Sequence, residues 1–231
     1  MLVKKPDPRP PLNALLVDYW DAQLGVGLTS GAVSTWTGQK LGVVATAPGS
    51  QYEPYAPDVA FRRKPSLQTV ESGALQLRND NTGAAMAAAG SRPYTISAWH
   101  WIGAPIASLK TILMIGNIAA GGSNQFGHYV GVTNDVITCS YNGATAAATI
   151  SGVGTKNHIT EFWADGTNLN VRDNGVLAAT ASAVTLTSAG ISWRDGSHPG
   201  NRAAVFHALF SAKPSDAYIA QLVNWIRERY L

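Results

Sequence analysis

Apolar residues in this chain come in short runs, many of them alternating with polar residues at a spacing of two, and the runs are broken by Gly, Asn and Asp. That period belongs to strands with one face buried, whereas a helix repeats its apolar positions every three to four residues. The stretch "HYVGVTNDVITCSYNGATAAATI" predicts strands over 129–132 and 136–141, with turns at Asn134-Asp135 and Asn142-Gly143. An Asn-Gly pair between apolar runs is the strongest short hairpin signal. "HITEFWADGTNLNVRDNGVLAATA" adds turn pairs at Asp165-Gly166 and Asn174-Gly175, with Leu169 and Val171 alternating with polar neighbours. Two successive meanders predict an antiparallel, all-β architecture.

"RPYTISAWHWIGA" (92–104) reads as a long strand with Tyr94, Ile96 and Ala98 on one face and Trp99 and Trp101 on the other. Bulk on both faces predicts a strand inside a two-layer sandwich, or on a sheet that is covered a second time. "GAAMAAAG" (83–90) suits a helix and a loop with a short strand equally and receives no assignment. The closing segment changes period. Ser215 is placed to cap a helix after Pro214, and Asp216 suits its positive end. Tyr218, Ile219, Leu222, Val223, Ile226 and Tyr230 form an apolar stripe, and Arg227 and Arg229 favour the other end of the dipole. A helix over 215–230 is expected, lying across an edge or rim of the sandwich and covering an exposed strand.

Composition sharpens this picture. With 231 residues and apolar positions spread evenly, one large core is expected. The formal charge of +3 is small and dispersed, so no nucleic-acid partner is expected. "FRRK" (61–64) is the one dense basic cluster and reads as a solvated loop. Cys139 is the single cysteine, which excludes an intrachain disulfide, and reads as a buried, inert thiol. No stretch approaches the roughly 18 apolar residues of a membrane-spanning helix, so no membrane partner is expected. The opening "MLVKKPDPRPPLNALLVDYW" breaks its apolar patch at Asp18 and does not read as a signal peptide, so production without Sec export is expected. Residues 1–11, rich in Pro and charge, predict an extended arm ahead of a domain spanning 12–231. Such an arm is either disordered or docked on a neighbouring subunit.

Taken together, "LLVDYWDAQLGV", "VSTWTGQK", "SGALQLRND", "RPYTISAWHW", "HITEFWADGTNLNVRDNGV" and "ALFSAKPSDAYIAQLVNWIRERYL" resemble the concanavalin A-like, laminin-G/pentraxin-like jelly-roll domains, in the form found in bacteriophage virion and prophage proteins. The resemblance covers about 12–231. Its motifs are packing and turn patterns, so it implies a fold more than an activity. Lys213-Pro214 stands where relatives carry a small residue or Leu, and Tyr218 where they often carry Glu.

Glycosidases on this fold, in the laminarinase-like group, carry "E-x-D-x-x-E" along one strand, which sets acid and nucleophile about 5 Å apart. Glu53, Glu71, Glu161 and Glu228 show no such spacing, and there is no "G-x-S-x-G" serine elbow. His100, His128, His158, His198 and His207 lack zinc-site spacing. The resemblance implies rim calcium through Asx-rich turns, for which Asn79, Asp80, Asn81, Asn134, Asp135, Asp173 and Asn174 are the candidates. Ordinary turns have the same composition, so calcium is not favoured. Sugar recognition calls for an aromatic platform with polar groups beside it. "SWRDGSHPGNR" offers Trp193, Arg194, Asp195, His198, Asn201 and Arg202 in a loop between strands, and "GGSNQFGHY" offers Asn124, Phe126 and His128 in a second loop. These nine residues are the candidate glycan or partner contacts.

The expected protein is a jelly-roll β-sandwich with a short C-terminal helix, serving as a non-enzymatic phage virion component: capsid decoration or a tail or fibre accessory. It would be an oligomer located in the virion, with the arm docked on other virion proteins and the rim loops open to cell-surface glycans. A carbohydrate-binding module is the alternative class, and a divergent polysaccharide-degrading enzyme ranks last.

Overall fold

The computed structural model describes residues 9–47, 53–69, 77–79, 93–102, 110–117, 124–130, 136–141, 144–149, 156–165, 167–181, 192–195 and 202–231. The chain runs through β1 (Leu16–Asp21), β2 (Val26–Thr29), β3 (Ala32–Thr37), β4 (Val44–Thr46) and β5 (Glu53–Asp58), then a 3-10 turn (Val59–Phe61). It continues through β6 (Lys64–Thr69), β7 (Leu77–Asn79), β8 (Tyr94–Trp101), β9 (Lys110–Asn117), β10 (Asn124–Val130), β11 (Val136–Tyr141) and β12 (Ala144–Thr149). The last elements are β13 (Asn157–Ala164), β14 (Leu169–Asp173), β15 (Val176–Ala181), β16 (Ser192–Asp195), β17 (Arg202–Phe210) and helix α1 (Asp216–Tyr230).

The pairings, all antiparallel, make two sheets. In the first, β15, β14, β13, β8 and β17 follow one another, and β1 and β6 share the far side of β17. In the second, the order is β2, β3, β4, β7, β16, β9, β10, β11, β12. Strand β5 pairs with β6 of one sheet and β3 of the other. The predicted jelly-roll sandwich with a C-terminal helix is the observed architecture.

The hairpins form as their turn residues dictate. Asn174 and Gly175 have φ of 48° and 88°, the two left-handed positions of a type I′ turn. Tyr141 of β11 pairs with Ala144 of β12, and the predicted Asn142-Gly143 turn lies outside the described residues. Residues 83–90 and the Asn134-Asp135 pair lie outside the described residues.

Register confirms the two-faced reading of β8. Trp99 and Ser97 look into the sandwich, opposite His158 and Thr160 of β13, whereas Tyr94, Ile96 and Ala98 share the outer face with Trp163, Glu161 and Ile159. β17 repeats this, with His207 turned inward onto Trp36 of the second sheet and Phe206 and Phe210 turned outward. The first sheet is therefore buried and carries aromatic residues on both faces, and α1 covers part of the outer one. Its Tyr218 and Trp225 meet Phe210 and Phe206 edge-on. The helix lies on a sheet face, not across an edge as its amphipathic stripe alone suggests, because the larger uncovered apolar surface is there.

Sequence-distant groups fix the helix. Ser215 Oγ accepts from the Tyr218 amide as the N-cap, and the Tyr218 hydroxyl donates to the Pro11 carbonyl at 2.7 Å. Burial pushes the Tyr218 pKa up to about 12. At the other end, the Tyr230 hydroxyl donates to Asp21 Oδ1, while Arg229 Nη2 stands 2.8 Å from Asp21 Oδ2, an ion pair without directed hydrogen-bond geometry. Asp21 is fully buried, and desolvation raises its pKa against the lowering pull of Tyr230 and Arg229. The "FRRK" cluster is not a free solvated loop. Phe61 is buried, and Arg62 Nη1 and Lys64 Nζ donate to the Glu228 and Arg229 carbonyls. They place positive charge at the negative end of the helix dipole.

The other aspartate of "VDYWD" holds a loop. Asp18 accepts from the amides of Lys40 and Val43, and a Cβ at Gly38 would lie 2.0 Å from its Oδ2. Only glycine permits that approach.

Removing one partner of the helix node leaves a buried charge, so Asp21→Ala is expected to cost about 3–5 kcal/mol. Tyr230→Phe, which deletes one hydroxyl, is expected to cost about 1–3 kcal/mol. Urea unfolding measures both, and equal effects would show that the charge does not dominate.

Candidate functional site

In the row β15, β14, β13, β8, β17 and β1, six strands at about 4.8 Å spacing make the first sheet roughly 25 Å broad, and a helix with its side chains is about 10–12 Å across. One helix cannot cover that face. Tyr218 and Trp225 seat α1 on β17, and Arg229 and Tyr230 tie it to β1, while a strip over β13 and β14 stays open. There a cavity of about 340 Å³ lies between the helix flank and the sheet.

Its floor and wall follow from register. Glu161 and Arg172 pair across β13 and β14 as its floor, with Ile159 two residues along β13 on the same face. The wall is the helix face bearing Asp216, Ile219, Ala220, Val223, Asn224 and Arg227, and the Asn174-Gly175 turn closes one end. The Asn174 amide is committed to that turn, accepting from the Ile159 amide at 3.1 Å and donating to the Asn157 carbonyl at 3.0 Å.

Glu161 is the unusual floor residue. It is only 2% exposed and is paired with Arg172 Nη1 at 3.2 Å, while Arg172 is 21% exposed. Desolvation raises the Glu161 pKa, against Arg172, Tyr94 and Lys213, which lower it. The buried Tyr94 phenol faces this carboxylate without a hydrogen bond of good geometry, and its pKa is pushed well above 10 by burial first and the Glu161 charge second. Arg172 also lies over the Trp163 ring at 5.3 Å. At the mouth, Lys213 Nζ meets Asp216 Oδ1 at 2.6 Å and holds that exposed carboxyl below its usual pKa.

A second polar cluster lies inside the sandwich. Trp99 Nε1 donates to Thr160 Oγ1, Thr160 donates to Asp173 Oδ1, and His158 Nδ1 reaches Asp173 Oδ2 at 3.0 Å beneath the stacked Trp99 ring. Ser97 and His207 pair at 2.8 Å in the same layer. Every member is buried, so the cluster ties strands together and presents nothing to a ligand. Asp173 Oδ1 and Oδ2, named in sequence as calcium candidates, are engaged by these donors.

Six of the nine sequence-derived contact residues fall in strands of the second sheet. Trp193, Arg194 and Asp195 lie in strand β16 and Asn124, Phe126 and His128 in strand β10, where the sequence reading has loops. Trp193 and Phe126 both pair with Ile115 of β9, so the two stretches converge on one row. Arg202 is buried in β17, and His198 and Asn201 lie outside the described residues. Arg202, whose side chain is described, does not line the cleft. Sequence reasoning passed over Glu161 and Arg172, although a glutamate in the apolar strand "HITEFWA" signals a buried charge needing a partner.

No family model matches this chain, and no curated protein does. Solved structures do. A Trypanosoma rangeli sialidase, in a covalent-intermediate complex with 2,3-difluorosialic acid, is similar at TM-score 0.62 and 12% identity over 94% of this chain and 34% of its own. The Ruminococcus gnavus IT-sialidase CBM40 is similar at TM-score 0.52 and 15% identity, over 71% of this chain and 96% of its own. The binding domain of botulinum neurotoxin DC in complex with SialylT matches at TM-score 0.62 and 12% identity, over 92% of this chain and 52% of its own. At these identities the likeness is one of fold, and the chain spans about a third of the sialidase's length.

One expectation is corrected here. The missing "E-x-D-x-x-E" spacing leads the sequence reading to a protein that is not an enzyme, yet several of the similar structures are sialidases. The motif of one glycosidase group does not speak for the other chemistries that accompany this fold.

The raised Glu161 pKa fixes a pH dependence. The native state holds this proton to higher pH than the unfolded chain, so the contribution is full below the ordinary carboxylate pKa and is lost as pH rises through the folded value. Against a Glu161→Gln variant, the wild type is expected to lose ground as pH rises above the ordinary carboxylate pKa of about 4, read as the difference in Tm. A difference that is flat or of opposite slope would contradict it.

Proposed function

We propose that this chain is a carbohydrate-recognition sandwich and that the cleft between α1 and strands β13 and β14 holds the sugar. The observation that carries the reading is the cleft itself: a cavity of about 340 Å³ with Ile159, Ile219 and Val223 beside Arg172, Asn224 and Arg227. A pyranose needs both apolar surface for its C–H face and fixed donors for its hydroxyls. The support from outside the chain is that similar structures include a carbohydrate-binding module and a toxin binding domain solved with a sialylated ligand.

The setting proposed for it is a phage virion, with residues 1–11 engaging a capsid or tail neighbour. This rests on the sequence resemblance. A second reading makes the sandwich the recognition part of a larger glycan-processing protein, favoured because the match spans 34–36% of the sialidase chains.

A glycan array followed by calorimetry tests the site. The wild type is expected to retain a discrete set of glycans, and Val223→Trp, which fills the cavity, to weaken them at least about tenfold, or about 1.4 kcal/mol, with Tm maintained. An empty array, or undiminished binding by the variant, would refute the cleft as the sugar site. For the setting, particle binding is expected to require residues 1–11, and a full chain indifferent to emptied particles would remove the virion reading.

A further inference from the structure

We propose that the cleft selects sugars carrying a carboxylate, with Arg172 and Arg227 as its anion-binding pair. This rests on the reading of the cleft as the sugar site and adds which chemical class it takes.

The charge inventory carries the argument. Four ionisable groups line the cavity: Glu161, Asp216, Arg172 and Arg227. Asp216 is neutralised from outside the lining by Lys213, at 2.6 Å. That leaves one carboxylate, Glu161, against two guanidiniums, so the cleft carries one excess positive charge. Glu161 does not exhaust them. A guanidinium has five N–H donors in a planar fork; Arg172 directs one donor to Glu161 Oε2 and its face to Trp163. Arg227, exposed on the last turns of α1, makes no side-chain hydrogen bond or ion pair among the described residues.

A neutral sugar would engage this donor set only through neutral acceptors. A carboxylate accepts two parallel N–H bonds from one guanidinium, and such charge-assisted bonds are roughly twice as strong as neutral ones. The remainder of the ligand has matching surface: Leu177, 52% exposed, pairs with Arg172 just beyond the cavity, and Asn224, which makes no side-chain hydrogen bond among the described residues, offers its amide on the wall. Hydroxyls and ring face are served by these, and the acid group by the arginines.

The test is calorimetric titration of the full chain with sialyllactose, lactose and a 6-sulfated lactose, for the wild type and for Arg227→Gln and Arg227→Lys. Arg227 is exposed, and the Tm of both variants is expected to be unchanged. The wild type should bind sialyllactose at least about tenfold tighter than lactose. Arg227→Gln should bring the two affinities within about twofold, and Arg227→Lys should restore part of the gap, because it returns the charge without the fork. Equal wild-type affinity for sialyllactose and lactose, or equal losses for both in Arg227→Gln, would overturn the acid selectivity while leaving sugar binding intact. Sulfated lactose matching sialyllactose would overturn the carboxylate preference. Binding of none of the three would overturn both proposals.

Discussion

A sheet that carries aromatic residues on both faces has to be covered twice, and the rest of this molecule is arranged to do so. The inner face of the first sheet, with Trp99, Phe162 and Leu209, is closed by the second sheet, and the outer face, with Tyr19, Tyr94, Phe206 and Phe210, is closed by α1. Burying an aromatic side chain is worth a few kcal/mol, so an outer face left open would expose a large part of the core. The Asp21–Arg229–Tyr230 node has a different role. Two charges taken out of water recover little net energy, but they accept one partner geometry, and this fixes where along β1 the helix comes to rest.

Because the cover is narrower than the sheet, the strip it leaves open is set by geometry before any side chain is chosen. The chain fills that strip with Glu161 and Arg172, a pair whose carboxylate is nearly enclosed while its guanidinium still reaches solvent. Sandwich and cleft are thus two results of one arrangement, in which rigid strands set the floor residues at fixed spacings and the helix supplies a wall.

Local signals in the sequence translated well. The alternation in β8, the Asn174-Gly175 turn and the Ser215 cap each report a preference settled within a few residues, and each is present as read. What the sequence did not disclose depends on partners far along the chain. Arg62 reads as part of a solvated basic loop until Glu228, 166 residues away, is found beneath it. The helix stripe shows that one side is buried but not whether an edge or a face buries it. Trp193 and Phe126 read as separate loops, and only strand register brings them to the same residue, Ile115. Glu161 was legible as an oddity, since a carboxylate among Ile159, Phe162 and Trp163 demands a counter-charge, yet nothing local names Arg172 as its source.

The position of β17 constrains how such a chain can be made. It is the last strand of the sandwich in sequence, yet it lies between β8 on one side and β1 and β6 on the other. During synthesis, β1 therefore waits without its neighbour for almost two hundred residues, its backbone donors unpaired and its aromatic residues in water. Contacts of such long separation make folding slow and leave partly made chains prone to association. The nascent chain thus depends on keeping its early strands apart until β17 has been made.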